Sequence, residues 1–301
     1  MYSSEILDVD VESVADVSRA KFLVLSILLA YVGAAFAYNI GILDLSNTVL
    51  GVAALILLHI SVNSINSARD YKKGIDSETE KTDFSGGPEA LVEGKISYRE
   101  TVLISITSAL ISLPIFLYFQ AVYSGIFVPI TVSIGLLIAF SYTDILSRIG
   151  LGEVSAGVGL GVLPVLMIIY IQQGSFTTSG LYLSLCAFIP TFNLLLINHF
   201  PDLQVDRKYS RKTLPIILGK KASAALYLSM VVLFSILVLY GYSTGVLPSG
   251  AALALVSTPL GILCSYKAFA SSADTADGVL KLNVVWTHLS LLLLGTGLII
   301  F

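Results

Sequence analysis

Charge is scarce in this sequence. Only 12% of its 301 residues are Asp, Glu, Lys or Arg, against about 25% in a soluble domain. With 55% hydrophobic residues and a mean hydropathy of +0.87, that scarcity excludes an ordinary soluble enzyme and leaves no basis for a nucleic-acid partner. Cysteine is nearly absent. Cys186 and Cys264 each sit inside an apolar run and read as small core residues, not as a disulfide or a metal pair. The three histidines, His59, His199 and His288, are dispersed, so no zinc spacing exists. The chain also lacks a Gly-x-x-x-x-Gly-Lys phosphate loop and a serine-nucleophile signature.

What is abundant is apolar sequence of membrane-crossing length. Nine segments are long enough to cross about 30 Å of hydrocarbon, near 20–41, 47–68, 100–121, 124–143, 151–172, 178–200, 222–243, 247–267 and 280–300. The positive charges orient them. With nine spans and the N-terminus inside, all 17 Lys and Arg residues fall on the cytosolic side. The opposite loops, near 42–46, 122–123, 173–177 and 244–246, carry none. The acidic N-terminus (Glu5, Asp8, Asp10, Glu12 and Asp16) lacks a cleavable signal pattern and reads as a cytosolic lead-in. No linker divides residues 1–301, so one all-α, polytopic domain in the plasma membrane is expected.

Two polar motifs interrupt this pattern. Asn198-His-Phe-Pro-Asp202-Leu-Gln-Val-Asp206 closes the sixth segment. On a continuous helix, residues four and eight apart drift only about 40° and 80°, which puts Asn198, Asp202 and Asp206 on one face. Asn66-Ser-Ala-Arg-Asp70 closes the second segment, and Asp76 follows Gly74. Glycine readily takes the left-handed cap, so a turn at Gly74 is expected to bring Asp76 back beside Asp70. Carboxylates at the end of a membrane span are costly without a partner. The natural partner is a hard divalent cation such as Mg2+, which shares its shell with water and a phosphate substrate. Two such sites in matching positions suggest one cavity served by both.

Four aspartates balance two Mg2+ ions, and the ions can then hold a diphosphate. Basic residues near the motifs, Arg69, Lys72, Lys73, Arg148, Arg207, Lys208, Arg211 and Lys212, offer contacts for the remaining phosphate charge. The run Thr82-Asp83-Phe84-Ser85-Gly86-Gly87-Pro88 reads either as a plain turn or as part of a lid offering glycine amides to phosphate. If the diphosphate leaves an allylic carbon, the cation must be kept from water, and aromatic faces stabilise it. With 15 Tyr and 14 Phe the chain has enough for such a lining, and Tyr142, Phe192 and Phe200 are candidates, though each is more often packing. Arg148 and Glu153, around Gly150 and Gly152, read as interfacial anchors or as diphosphate or acceptor contacts.

The two Asp motifs, the nine spans and the Tyr142 to Glu153 loop resemble the UbiA superfamily of intramembrane prenyltransferases, over about residues 20 to 300. The resemblance implies an all-helical bundle of nine transmembrane helices around a central cavity with a cytosolic loop cap. It implies Mg2+-dependent transfer of a prenyl group from a prenyl diphosphate to an acceptor, usually aromatic. By position, it implies metal ligation by Asn66, Asp70, Asp76, Asn198, Asp202 and Asp206, with Asn66, Asp70, Asn198 and Asp202 central to catalysis. It implies substrate contacts by Arg69, Lys73, Tyr142, Arg148 and Lys212.

The common first motif is Asn-Asp-x-x-Asp-x-x-x-Asp. Here Ser67 follows Asn66, and the last Asp comes two positions late. That later spacing resembles the 1,4-dihydroxy-2-naphthoate prenyltransferases of menaquinone synthesis. So do Phe84-Ser-Gly-Gly87, Leu91-Val-Glu-Gly94, Arg211-Lys-Thr-Leu214 and Leu218-Gly219. Alternative acceptors are 4-hydroxybenzoate and geranylgeranylglyceryl phosphate. The rival classes are a secondary transporter and a non-catalytic membrane protein. Against a transporter, the carboxylates cluster at one membrane face and both motifs share one orientation.

Overall fold

The computed structural model describes residues 10–79, 81–82, 84–270 and 276–301. Glu5 and Asp8 of the acidic lead-in, and Asp83 of the glycine-rich run, lie outside the described residues. Among the described residues nine apolar helices are present: α1 Ala20–Asn39, α2 Leu45–Lys72, α3 Tyr98–Tyr123, α4 Phe127–Ser141, α5 Gly152–Gln173, α6 Thr178–Asn198, α7 Lys220–Ser243, α8 Ser249–Ala270 and α9 Asp277–Ile300. Among the described residues no strand occurs.

Eight of the nine are long and apolar enough to cross a membrane. The fourth has 15 residues, a rise of about 22 Å, short of the 20 residues expected from the apolar run. The reason is local. Ser124 caps α3 with φ of 49°, so the chain turns before α4 starts, and beyond Ser141 it winds into turns and a short 3-10 segment at Leu146–Arg148. Elsewhere the helix ends follow side-chain caps. Asp44 accepts from the Asn47 amide at 2.9 Å to open α2. Ser97 and Glu100 form a reciprocal capping box that opens α3. Thr177 accepts from Gly180 N–H at 2.9 Å to open α6.

The core is built on α6. Its buried residues Leu183, Ala187, Phe192, Leu196 and Ile197 join one cluster with Tyr227 and Phe234 of α7, Trp286 and Leu291 of α9, and Leu29 and Phe36 of α1. Helices in lipid gain nothing from hiding apolar surface alone, so close approach and polar links hold such bundles together. Both devices are visible. Gly250 of α8 and Gly297 of α9 lie so close that a Cβ on either would collide with the carbonyl of the other. Asn283 of α9 donates to Leu194 O at 3.0 Å, and Thr287 donates to Pro190 O at 3.3 Å. Pro190 has no N–H, so the α6 ladder lacks its bond to Cys186 O. The outer faces of α3 and α4 stay apolar and exposed, as at Leu103, Leu110, Leu117 and Leu137, which suits contact with acyl chains.

The polar loops gather at one end of the bundle. Lys73 pairs with Asp144 across the α2 and α4 termini. Lys208 meets Glu78 at 2.6 Å, and Tyr209 donates to Gly74 O at 3.2 Å, tying the segment after α6 to the segment after α2. The helix Val11–Val17 straps this end: Asp16 accepts from Ala90 N–H at 2.9 Å and pairs with Lys81 at 3.6 Å.

Candidate active site

Both motifs open on one cavity of about 290 Å³, walled by α1, α2, α4, α5 and α6 and roofed by the loops that follow α2 and α6. The last turns of α2 deliver Asn66 and Asp70 to it. Asn66 Oδ1 accepts from Thr143 Oγ1 at 3.3 Å. Ser67 points away: its side chain is buried and donates to Val17 O at 3.3 Å. A carboxylate at that position would face the N-terminal strap, so the missing Asp does not deplete the cavity.

Gly74 then reverses the chain with φ of 79°. Ile75 N–H bonds to Asp70 O at 3.0 Å and Gly74 N–H to Tyr71 O at 2.9 Å, the paired bonds of a Schellman cap. The turn returns Asp76 to the cavity beside Asp70. There Asp76 lies under Gly87, where any Cβ would collide with its carboxyl group. The glycine-rich run is therefore a close cover over the second carboxylate.

The second motif departs from the expected geometry. α6 ends at Asn198, and Asp206 lies on a separate helix, Leu203–Lys208, with Asp202 just before it. Pro201 explains the break: it has no N–H and disfavours helix at the residue before it. Asn198, Asp202 and Asp206 therefore do not share one helix face. They still all line the cavity, because the turn folds Asp202 back over the end of α6.

Arg211 joins the two motifs. It donates to Asp70 Oδ1 at 2.6 Å and to Asp206 Oδ1 at 3.0 Å. A planar guanidinium fork suits such a bridge better than an ammonium. The side chain of Arg19 makes no bond among the described residues, although it also lines the cavity. Its backbone is held in the left-handed region at φ of 51°. Two guanidiniums against four carboxylates leave negative charge in excess. Burial and the charge of Asp70 push Asp76 up to about 7. Burial and the charge of Asp206 push Asp202 up to about 7 as well. Asp76 Oδ2, Asp202 Oδ1, Asp206 Oδ2 and Asn198 Oδ1 are buried without a hydrogen-bond partner. No three described His, Cys, Asp or Glu side chains converge as a ready-made metal cluster.

The other expected contacts scatter. Tyr142 lines the cavity. Arg69 and Lys73 both pair with Asp144 outside it, the former at 3.4 Å. Arg148 is exposed. Lys212 is exposed too, and only its backbone is engaged, donating to Ser147 O at 2.7 Å. Phe192 and Phe200 belong to the core; the aromatic lining is Phe22, Phe84 and Tyr142. Sequence reasoning did not single out Arg19 or Arg211 from the other basic residues. Arg211 follows Asp206 by five residues and Arg19 opens the first span, positions that do not distinguish them from the other basic residues. Deeper in the cavity, His59 Nδ1 and Ser26 Oγ lie 2.8 Å apart, two turns of α2 below Asn66.

The UbiA prenyltransferase family matches residues 26–296. A 1,4-dihydroxy-2-naphthoate octaprenyltransferase of Bacillus subtilis (strain 168) is 25% identical over 198 residues, which are 65% of this chain and 60% of that protein. The matched part thus spans less than two thirds of that relative's length. A UbiA homologue from Aeropyrum pernix K1 superposes with a TM-score of 0.72 at 20% identity, covering 93% of this chain and 98% of that one. A UbiA homologue from Archaeoglobus fulgidus, solved with GPP and Mg2+, gives 0.64 at 18% identity, covering 95% and 99%. Their likeness is one of fold. The apolar helices and the family together make this an integral membrane protein. The chain belongs to the UbiA prenyltransferase family.

Proposed function

We propose that this protein transfers a prenyl group from a polyprenyl diphosphate to 1,4-dihydroxy-2-naphthoate, using Mg2+ at the cavity where the two Asp motifs meet. The observation that carries the reading is the set of unpartnered hard oxygens on Asn198, Asp76, Asp202 and Asp206 in an acidic cavity with too few cations. All-oxygen donors beside a phosphate site are what Mg2+ takes. Asp70, Asp76, Asp202 and Asp206, with Asn66 and Asn198, would hold two ions. Bound there, Mg2+ would neutralise the charge that builds on the diphosphate as it leaves.

The chain's own residues supply the rest. Arg211 already spans both motifs and is placed to turn its fork to the diphosphate once the carboxylates bind metal. Arg19 reaches the same cavity, where its charge acts on Asp76 and Asp202. Below the polar end the wall is apolar, with Leu55, Leu58, Leu136, Ile138 and Leu160. That lining excludes water from an allylic cation. The ring faces of Phe22, Phe84 and Tyr142 offer it a favourable quadrupole. The naphthoate acceptor rests on the motif spacing and on the Bacillus subtilis relative. The one-sided distribution of Lys and Arg supports a plasma-membrane protein whose active site faces the cytoplasm.

The test is product formation by purified protein in lipid, with Mg2+, a prenyl diphosphate and a panel of dihydroxynaphthoate, 4-hydroxybenzoate and geranylgeranylglyceryl phosphate. The expected product is a prenylated naphthoquinol, lost when the metal is chelated. Product on another acceptor only would overturn the acceptor assignment. Absence of any product would overturn the reading.

A further inference from the structure

His199 lines the cavity and Glu153 is buried behind it, and neither has a part in metal or diphosphate binding. Glu153 stands on the first turn of α5 and its side chain is wholly buried. Its Oε1 accepts from His199 Nδ1 at 3.0 Å and from Leu214 N–H at 2.9 Å. Leu214 N–H holds the carboxylate in place, and the Oε1 bond holds the imidazole through Nδ1, while Glu153 Oε2 is buried without a partner. The ring nitrogen left over is Nε2. His199 and Tyr142 both line the cavity, and the Tyr142 hydroxyl lies 3.4 Å from Nε2. Directly after Ala156, α5 loosens into a π turn over Gly157–Val162. Such insertions are costly in an otherwise regular helix and are frequent at functional sites. Here Gly161 lets the chain approach Thr191 and Ala187 of α6, where a Cβ would collide.

Resting on the prenyl-transfer reading, we propose that His199 Nε2, set by Glu153 and flanked by the Tyr142 hydroxyl, is the hydrogen-bonding point for a ring hydroxyl of the aromatic acceptor. Glu153 is then a positioning residue. A hydroxyl can donate to a neutral Nε2 or accept from a protonated one, so the contact holds in either state. Holding one hydroxyl fixes which ring carbon faces the allylic carbon. His199 is adjacent to Asn198, which places this contact beside the diphosphate end of the cavity, where the new carbon–carbon bond must form.

Two variants separate recognition from scaffolding. In His199→Asn the side-chain amide nitrogen replaces Nδ1 and keeps the bond to Glu153, while Nε2 is gone. In His199→Gln the amide reaches the Nε2 position and the bond to Glu153 is lost. KM is measured separately for the acceptor and for the prenyl diphosphate. The expected result for His199→Asn is an acceptor KM raised about ten-fold, with the diphosphate KM within about two-fold of wild type. A structural staple alone gives the opposite pattern, an unaltered His199→Asn and an impaired His199→Gln, and overturns the proposal. So does an equal rise in both KM values.

The wild-type protein supplies a control that does not depend on how a variant folds. Replacing the recognised ring hydroxyl of the acceptor by hydrogen, which removes donor and acceptor together, is expected to raise its KM by a similar factor. An undiminished deoxy acceptor overturns the contact while leaving prenyl transfer intact. Absence of wild-type transfer overturns the contact together with the reading it rests on.

Discussion

At the scale of single residues, the site is a cavity with too much negative charge. Removing Asp202 takes away an unpartnered oxygen donor, and Asp202→Ala is expected to lower turnover by about 10²-fold while the detergent-solubilised protein keeps its helical circular-dichroism spectrum. Near-wild-type activity in that variant would remove Asp202 from the reaction. Arg211 has a different role, because it already neutralises one carboxylate of each motif. Arg211→Met leaves two carboxylates of the cavity facing each other. Thermal unfolding without divalent metal should then occur at lower temperature than in wild type, with the gap narrowing as Mg2+ is added. An unchanged melting temperature would mean that the bridge contributes little.

The same residues give a pH dependence with a definite sign. Asp76 and Asp202 sit at about 7 in the folded protein and near 3.9 in an unfolded chain. Between those values the folded state binds more protons, so stability of the metal-free protein falls as pH rises from about 4 to 7. Mg2+ competes with these protons, and its stabilising effect should grow across the same window. Melting curves at pH 5 and pH 8, with and without Mg2+, check both statements. A metal-free protein more stable at pH 8 than at pH 5 contradicts the charge excess.

At the scale of elements, the helix edges were legible in the sequence because hydropathy falls where lipid contact ends. The expected spans lie within a few residues of the helices, and the Schellman turn at Gly74 follows from glycine's freedom there. The second motif was misread because an i, i+4 count was carried through Pro201, which ends the helix before Asp202. The fourth span was overestimated because it was counted from 124 to 143, while the backbone is still turning at Ser124–Ile126 and has left the helix after Ser141. The Arg211 bridge was not legible: it joins residues more than a hundred positions apart, and only loop closure brings them together. The glycine-rich run read equally as a turn or a lid, and Gly87 packs on Asp76. Gly87→Ala places a methyl where the Asp76 carboxyl lies. It should impair Mg2+-dependent prenyl transfer at least ten-fold while leaving the melting temperature nearly unchanged. Full activity in Gly87→Ala would show that the run can lift freely.

At the scale of the whole molecule, the bundle separates holding together from reacting. α6 serves both parts, but α7, α8 and α9, with the Gly250–Gly297 crossing, contribute no residue to the cavity lining. Gly297→Leu should therefore lower the yield of folded protein and its melting temperature, while protein that does fold keeps its KM values. A specific loss of diphosphate affinity in that variant would mean the two parts are coupled. The acidic cavity at one end and the apolar wall beneath it match the two halves of a prenyl diphosphate.

The central claim is that the two motifs act together as one Mg2+-dependent diphosphate site. The most direct measurement is calorimetric titration of a non-reactive prenyl thiodiphosphate into the lipid-reconstituted protein, with Mg2+ and with chelator, for wild type, Asp70→Ala and Asp202→Ala. The account predicts saturable binding only with Mg2+, and loss of that binding when either motif is cut. Binding that survives chelation, or that survives loss of one motif at undiminished affinity, would contradict it.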